Sequence, residues 1–485
     1  MSPSTEDAAF RDGAAEASDL TMSSDAMREL AAAAMEAVLH RVEHLREDAP
    51  WRGASRVDLE EILREPAPEE GRPALEVLER ALRDVLPTAA RVDHPRFFAF
   101  VPSSPTWPGV VADLLGAGFN TFQGTWLGSG GPSQLELVVL DWFREWVGYP
   151  EGAGGLFTSG GSAASLDALV AARERAGAPD RPAVFMSDQS HSALERAARI
   201  VGVRPEGVVK VASDDAFRIR MDELERAVAD ARGRGFTPVA VCANAGATNT
   251  GAVDPLDAMA DFCAREGIWL HVDGAYGGFA VLAEEGRSLF RGLERADSVT
   301  LDAHKWLFQP FEAGCLLVRD VRALESAFGV HPEYLQDTRL GMEHVNFADR
   351  GLQLTRSFRA LKVWMSIQTF GLAAFRRSVA RGMDFARRAG ELVRASPRLE
   401  LLSPPSLGVV CFRANPGGMD DGALEAFNEA IQNRVIRGGT AMMSSTRLKG
   451  TYALRLCIMA HNTRWSDVEE TLRAIEDMAA EGPAA

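Results

Sequence analysis

Ile268-Trp269-Leu270-His271-Val272-Asp273-Gly274-Ala275 is the stretch whose reading decides the fold. A short, very apolar run ends on a carboxylate and continues into two of the smallest residues. An apolar run of this length fits a strand covered on both faces, as in a parallel sheet. A carboxylate at the inner end of such a strand is costly unless a cation meets it. Gly274 and Ala275 behind it let a planar group lie close to the backbone. The ordinary alternative for Asp273 is a salt-bridged structural aspartate, which the crowding of small residues makes less attractive.

Working outward, Ala183-Val184-Phe185-Met186 and Val239-Ala240-Val241-Cys242 are similar runs, separated by helical patterns such as Leu166 to Arg175 and Met221 to Arg232. Strand–helix alternation of this kind predicts an α/β domain with a mostly parallel central sheet, placed at residues 107–366. Ligands of such sheets bind at the carboxyl ends of the strands. Residues 367–485 read as a smaller α+β domain: a helical stretch through Arg376 and Arg387, strands at Gly408–Phe412 and Ala453–Cys457, and a capped helix from Ser466. Residues 1–23 read as a mobile tail rich in Ala, Ser, Asp and Glu. Residues 24–106 form an N-terminal helical segment, where Leu30, Met35, Val38, Val42 and Leu45 recur at helical spacing and Ser24 or Asp25 can cap the start. That stripe can pack on a second subunit or on its own domain.

Composition excludes several classes of function. The 485 residues carry 52 basic and 68 acidic side chains, a net charge of −16, which argues against nucleic acid or an anionic membrane as partner. The five cysteines are scattered without metal-ligand spacing, so reduced core thiols are expected, with no metal site. No apolar run approaches the roughly 18 residues of a membrane span, and the start has no signal-peptide core. A soluble, cytoplasmic protein is expected.

Four strand-end features follow one another. Thr158-Ser159-Gly160-Gly161-Ser162 opens a helical pattern, a turn suited to phosphate but also an ordinary glycine-rich turn. It is neither a P-loop nor a dinucleotide fingerprint. His191, just past the strand ending at Met186, can stack on a flat ring or shuttle a proton; a lone histidine is equally an ordinary structural residue. Asp273 is third: a pyridinium nitrogen is a cation that would suit it, and holding that nitrogen protonated makes the ring an electron sink. Lys305, in Leu301-Asp302-Ala303-His304-Lys305-Trp306, is fourth, an amine with apolar flanks that suits a Schiff-base lysine. Each is weak singly; the ordered set points to pyridoxal 5′-phosphate.

On these motifs the chain resembles the group II pyridoxal-phosphate decarboxylases, most closely the aromatic-L-amino-acid branch. The matching runs are His94–Phe100, Ser187–Ala197, His271–Gly278, His304–Trp306 and Phe358–Trp364, and the likeness spans roughly residues 25 to 478. The resemblance implies fold type I, the aspartate-aminotransferase-like fold, in a homodimer with active sites at the subunit interface. It implies that Lys305 binds the cofactor aldehyde, that Asp273 pairs with the ring nitrogen, and that His191 and Ala275 cover the two ring faces. Gly161 and Ser162 would hold the phosphate with help from Asp302 and His304, and Thr248 would sit beside the cofactor.

The same resemblance makes Tyr334, 334 − 305 = 29 residues after the lysine, the acid that protonates Cα in a lid-like stretch. It puts Phe100, Pro102, Phe122, Trp126 and Thr355 near the substrate side chain, with Phe122 donated by the other subunit. The expected reaction is decarboxylation of an L-amino acid, an aromatic one in the first reading, to the amine and carbon dioxide. Ser103–Pro108 departs from the family pattern, and Thr355 stands where the aromatic branch has a smaller residue. A non-aromatic substrate such as glutamate or diaminobutyrate therefore stays open, as do an aldehyde synthase and, more remotely, a non-catalytic relative.

Overall fold

A computed structural model describes residues 20–102, 104–330 and 344–482. The chain divides into two compact units, residues 1–90 and 91–485. In the first, a helix runs over Ser24–Glu43, and Ser23, one residue earlier than the sequence suggested, caps it by accepting the Ala26 N–H. None of the helix's residues is buried, and Val38 and Val42 of the apolar stripe are exposed. Residues 1–19 of the expected tail lie outside the described residues.

The second unit is built on a seven-stranded sheet of order β1-β7-β6-β5-β4-β2-β3. Its strands are β1 (Gly154–Thr158), β2 (Pro182–Ser187), β3 (Val208–Val211), β4 (Thr237–Asn244), β5 (Trp269–Gly274), β6 (Ser298–Asp302) and β7 (Gly314–Val318). β7 is antiparallel to both neighbours, and the pairs β6–β5–β4–β2–β3 are parallel. Burial explains the apolar runs: every residue of β2 and of β6 is buried, because helices cover both faces.

A four-stranded antiparallel sheet of order β10-β11-β9-β8 completes the unit: β8 (Leu399–Leu401), β9 (Val409–Ala414), β10 (Ser444–Leu448) and β11 (Thr451–Cys457). It has its own core, in which Phe412, Leu454 and Leu456 meet Val468 and Ile475 of the helix Trp465–Glu481. The segment that enters the second unit pairs with this sheet. Phe98 N–H donates to Met442 O, and its carbonyl accepts from Cys457 N–H. The break between units therefore falls at 90/91, before the segment that the sequence reading had grouped with the N-terminal helices. No helix among the described residues is long and apolar enough to cross a membrane.

Candidate active site

The carboxyl ends of β1, β2, β4, β5 and β6 open onto one cavity of about 520 Å³. Its wall includes Gly161, Ser162, His191, Thr248, Asp273, Ala275, Asp302, His304 and Lys305, so nine residues singled out in the sequence meet there. The antiparallel strand also contributes. Because β7 begins at Gly314 opposite Thr158 and Asp302, the loop before it reaches the same edge and lays Phe311 and Glu312 on the wall.

The helix Gly161–Arg175 begins directly after β1, with its first N–H groups at the cavity. Glycine is required at 161, since a Cβ there would stand 2.7 Å from the Ala275 Cβ. His191 is the N-cap of the helix Ser192–Ile200, and its Nδ1 accepts the Ala193 N–H at 3.2 Å. The neutral ring consequently carries its hydrogen on Nε2.

Asp273 is open to the cavity on one side and otherwise deep in the protein; it accepts the Ala275 N–H at 3.1 Å. Burial pushes its carboxyl above the usual range, and Lys305 opposes that shift. Lys305 follows β6 in the short helix Ala303–Trp306 and places Nζ 2.8 Å from Asp302 Oδ2. His304 accepts the Ala313 N–H at Nδ1 and rests on Phe311, and burial lowers its imidazole. Beneath Lys305, the Trp306 indole stacks on Tyr276 at 5.5 Å, and the Tyr276 hydroxyl accepts the Gly408 N–H at 2.9 Å.

The expected substrate residues divide. Phe100 lies on the cavity wall with Val101, whereas Pro102, Phe122, Trp126 and Thr355 do not. Thr355 is exposed, and Trp126 stacks on His344 while its N–H donates to Asn346 Oδ1. Pro102 is buried, and Phe122 and Trp126 are half-buried. Tyr334 and Ser103 lie outside the described residues.

Sequence reading missed Tyr276, Phe311, Glu312 and Arg455. Arg455 of β11, buried, donates from Nε to the carbonyls of Thr248 and Asn249 and from Nη1 to that of Phe100, joining two cavity segments. A usable signal existed for Phe311 and Glu312. Only residues 307–313 separate the Lys305 helix from β7, too few for the dozen or so that a parallel crossover needs.

Comparison with known proteins agrees with this geometry. Residues 57–415 match the family model described as the pyridoxal-dependent decarboxylase conserved domain. An aromatic-L-amino-acid decarboxylase of Bacillus atrophaeus is 37% identical over 467 residues, covering 96% of this chain and 97% of that protein. A phenylacetaldehyde synthase of Petunia hybrida is 30% identical over 443 residues, covering 87% of this chain and 88% of its own. The crystal structure of Oryza sativa TDC with PLP and tryptamine matches with a TM-score of 0.91 and 27% identity, covering 96% of this chain and 99% of that one.

The cavity fits pyridoxal 5′-phosphate on its own chemistry. The slot between Gly161 and Ala275 admits no side chain at 161. Asp273 is a buried carboxylate that a protonated ring nitrogen would relieve. Asp302 Oδ1 is buried with no hydrogen-bond partner among the described residues.

Proposed function

The chain belongs to the pyridoxal-dependent decarboxylase family, and we propose that it converts an aromatic L-amino acid to the amine and carbon dioxide. The observation that carries this reading is the meeting of Asp273 and Lys305, from neighbouring strands β5 and β6, on one cavity with the start of the Gly161 helix. Bound pyridoxal 5′-phosphate supplies an electron sink for the pair left behind when the carboxylate departs.

The chain's own residues do the rest. Lys305 Nζ holds the cofactor through its aldehyde carbon. Asp273 accepts the ring N–H and keeps that nitrogen protonated. Gly161 and Ser162 direct backbone N–H groups at the phosphate. His191 and Ala275 would cover the two ring faces, and Thr248 would lie beside the ring. Tyr334 gives its phenolic proton to Cα, which commits the product to the amine. The apolar Phe100 and Val101 favour an aromatic side chain in the remaining space, and the aromatic decarboxylase among the relatives supports the same choice.

The assembly we propose is a homodimer whose second copy completes the pocket. Phe100, Phe119, Phe311 and Leu352 are 64%, 79%, 58% and 71% exposed, large apolar side chains that a second copy would cover. Phe122, Trp126 and Thr355, which do not line the cavity of their own chain, would serve that of the partner. The Ser24–Glu43 helix, none of whose residues is buried, is offered to a second copy. Five buried free thiols support a reducing, cytoplasmic setting.

The test is a screen of tryptophan, tyrosine, phenylalanine, dihydroxyphenylalanine, glutamate and diaminobutyrate, with carbon dioxide, amine and peroxide measured together. Amine equal to carbon dioxide from an aromatic substrate is expected. Preference for glutamate or diaminobutyrate overturns the substrate class. Peroxide equal to carbon dioxide makes the chain an aldehyde synthase, like its Petunia relative in name. Tyr334→Phe should move the product toward aldehyde, ammonia and peroxide; an unchanged rate of amine formation would remove Tyr334 from its role.

A further inference from the structure

Asp302 is an anion in a place prepared for an anion. Its carboxylate is 1% exposed and lies against the start of the Gly161 helix, where a Cβ at 161 would come within 3.2 Å of Oδ2. Oδ2 is paired with Lys305 Nζ at 2.8 Å, while Oδ1 is buried without a partner. Every charged or titratable group that faces it can be named. His304 Nε2 is 3.6 Å away on the same segment as Lys305. Asp273 acts on it from β5 and Cys315 from β7. The helix start brings Ser159, Gly160, Gly161 and Ser162, none of them charged. His304, with Nδ1 accepting a backbone N–H and burial disfavouring its cation, offers only a neutral Nε2–H.

In the ligand-free chain the Lys305 ammonium balances this carboxylate. Capture of the cofactor removes the balance, because the nitrogen is then bonded to the aldehyde carbon and no longer carries three N–H donors. The phosphate arriving at the helix start brings a charge of about −1.5 to −2 at pH 7. Two anions a few ångströms apart in a buried site cannot both stay fully ionised, and paired carboxylates resolve the same conflict by sharing a proton.

We propose that Asp302 and the cofactor phosphate hold one proton between them, taken from solvent as the cofactor is captured. In that step the C=O of the aldehyde becomes C=N to Lys305: two protons of the ammonium leave with the oxygen as water, the third stays on the nitrogen, and nothing is oxidised or reduced. The additional proton sits between Asp302 Oδ2, the oxygen beside Gly161 that Lys305 releases, and a phosphate oxygen, in a short, charge-assisted O–H···O bond. Asp302 is thereby a selecting residue: it accepts a phosphate monoester, which can bind a proton, and rejects an ester that cannot. This inference rests on the reading that the phosphate lies at the Gly161 helix start.

The experiment titrates pyridoxal 5′-phosphate into the cofactor-free full chain by calorimetry, in two phosphate-free buffers of different ionisation enthalpy that lack primary amines. The wild type should take up about one proton more than Asp302→Asn. By linkage, the ratio of wild-type to variant dissociation constants should then rise about tenfold per pH unit above pH 7. Pyridoxal 5′-sulfate, whose ester is not protonated in this range, should bind Asp302→Asn better than wild type. Loss of the Lys305 partner alone shifts the count the other way, because a variant lysine that starts neutral takes up the extra proton. Asp302→Ser repeats the comparison if the Asn variant folds poorly. Equal proton counts together with no preference of pyridoxal 5′-sulfate for Asp302→Asn over the wild type, with borohydride fixing the cofactor to Lys305 in both proteins, overturn the proposal and leave the site reading intact. Absence of label on Lys305 in the wild type overturns the site reading itself.

Discussion

Replacing Glu136 by alanine should loosen the cofactor turn from a distance. Glu136 and Arg356 have no solvent exposure and meet at 2.5 Å. Glu136 Oε1 also accepts the Phe157 N–H at 2.8 Å, and Arg356 donates to Phe157 O at 2.8 Å and to Gln123 O at 3.0 Å. The pair therefore grips both backbone groups of Phe157, two residues before Ser159 enters the cavity wall. Removing the carboxylate strands a buried guanidinium and a strand N–H; breaking a buried pair in this way costs about 3–5 kcal/mol. The two carbonyls that Arg356 keeps put the expectation at the lower end, about 3 kcal/mol. Glu136→Leu combined with Arg356→Met removes both charges and should cost less than the sum of the two single changes. Denaturant unfolding of the wild type, Glu136→Leu, Arg356→Met and the double variant, with Glu136→Ala alongside, read by tryptophan fluorescence, measures the cycle, and a cofactor titration should show weaker binding in the single variants. A loss below 1 kcal/mol in Glu136→Ala, or a double variant worse than the sum, would refute the reasoning.

Two further outcomes are expected. Gly161→Ala sets a Cβ 2.7 Å from that of Ala275; overpacking of about 1–3 kcal/mol should appear as a tenfold to hundredfold weaker cofactor affinity, and unchanged affinity would mean that the helix start can move away from β5 freely. His271, wholly buried, is lowered to about 3 by burial, so below pH 6.5 the unfolded chain binds a proton that the native ring refuses. Its contribution is complete above pH 6.5 and falls by up to about 1.4 kcal/mol per unit as pH drops toward 3; His271→Asn should flatten the decline between pH 6.5 and 4.5, and parallel curves for the two proteins would count against it.

Much of the site was legible because its residues obey one rule. Asp273, His191, Thr248 and Lys305 each follow an apolar run, and each stands where a strand delivers it to the same sheet edge. The direction of β7 was legible too, in the shortness of residues 307–313, but strand–helix alternation elsewhere drew attention from it. The outer pocket was not. Phe122, Trp126 and Thr355, expected near the substrate side chain, line no part of the cavity.

Asp302 marks a different limit. The family resemblance assigned it to the phosphate, and it lies beside Gly161 at the helix start. A carboxylate and a phosphate cannot hold one another as two bare anions, so the same assignment becomes reasonable only with a proton added or a cation interposed. The cation is present as Lys305 Nζ at 2.8 Å, and it is the very group that cofactor capture takes out of service. A residue type read along a chain carries an average charge, whereas the charge that matters is set by neighbours that change during loading. For that reason the decisive measurement on this site is a proton count.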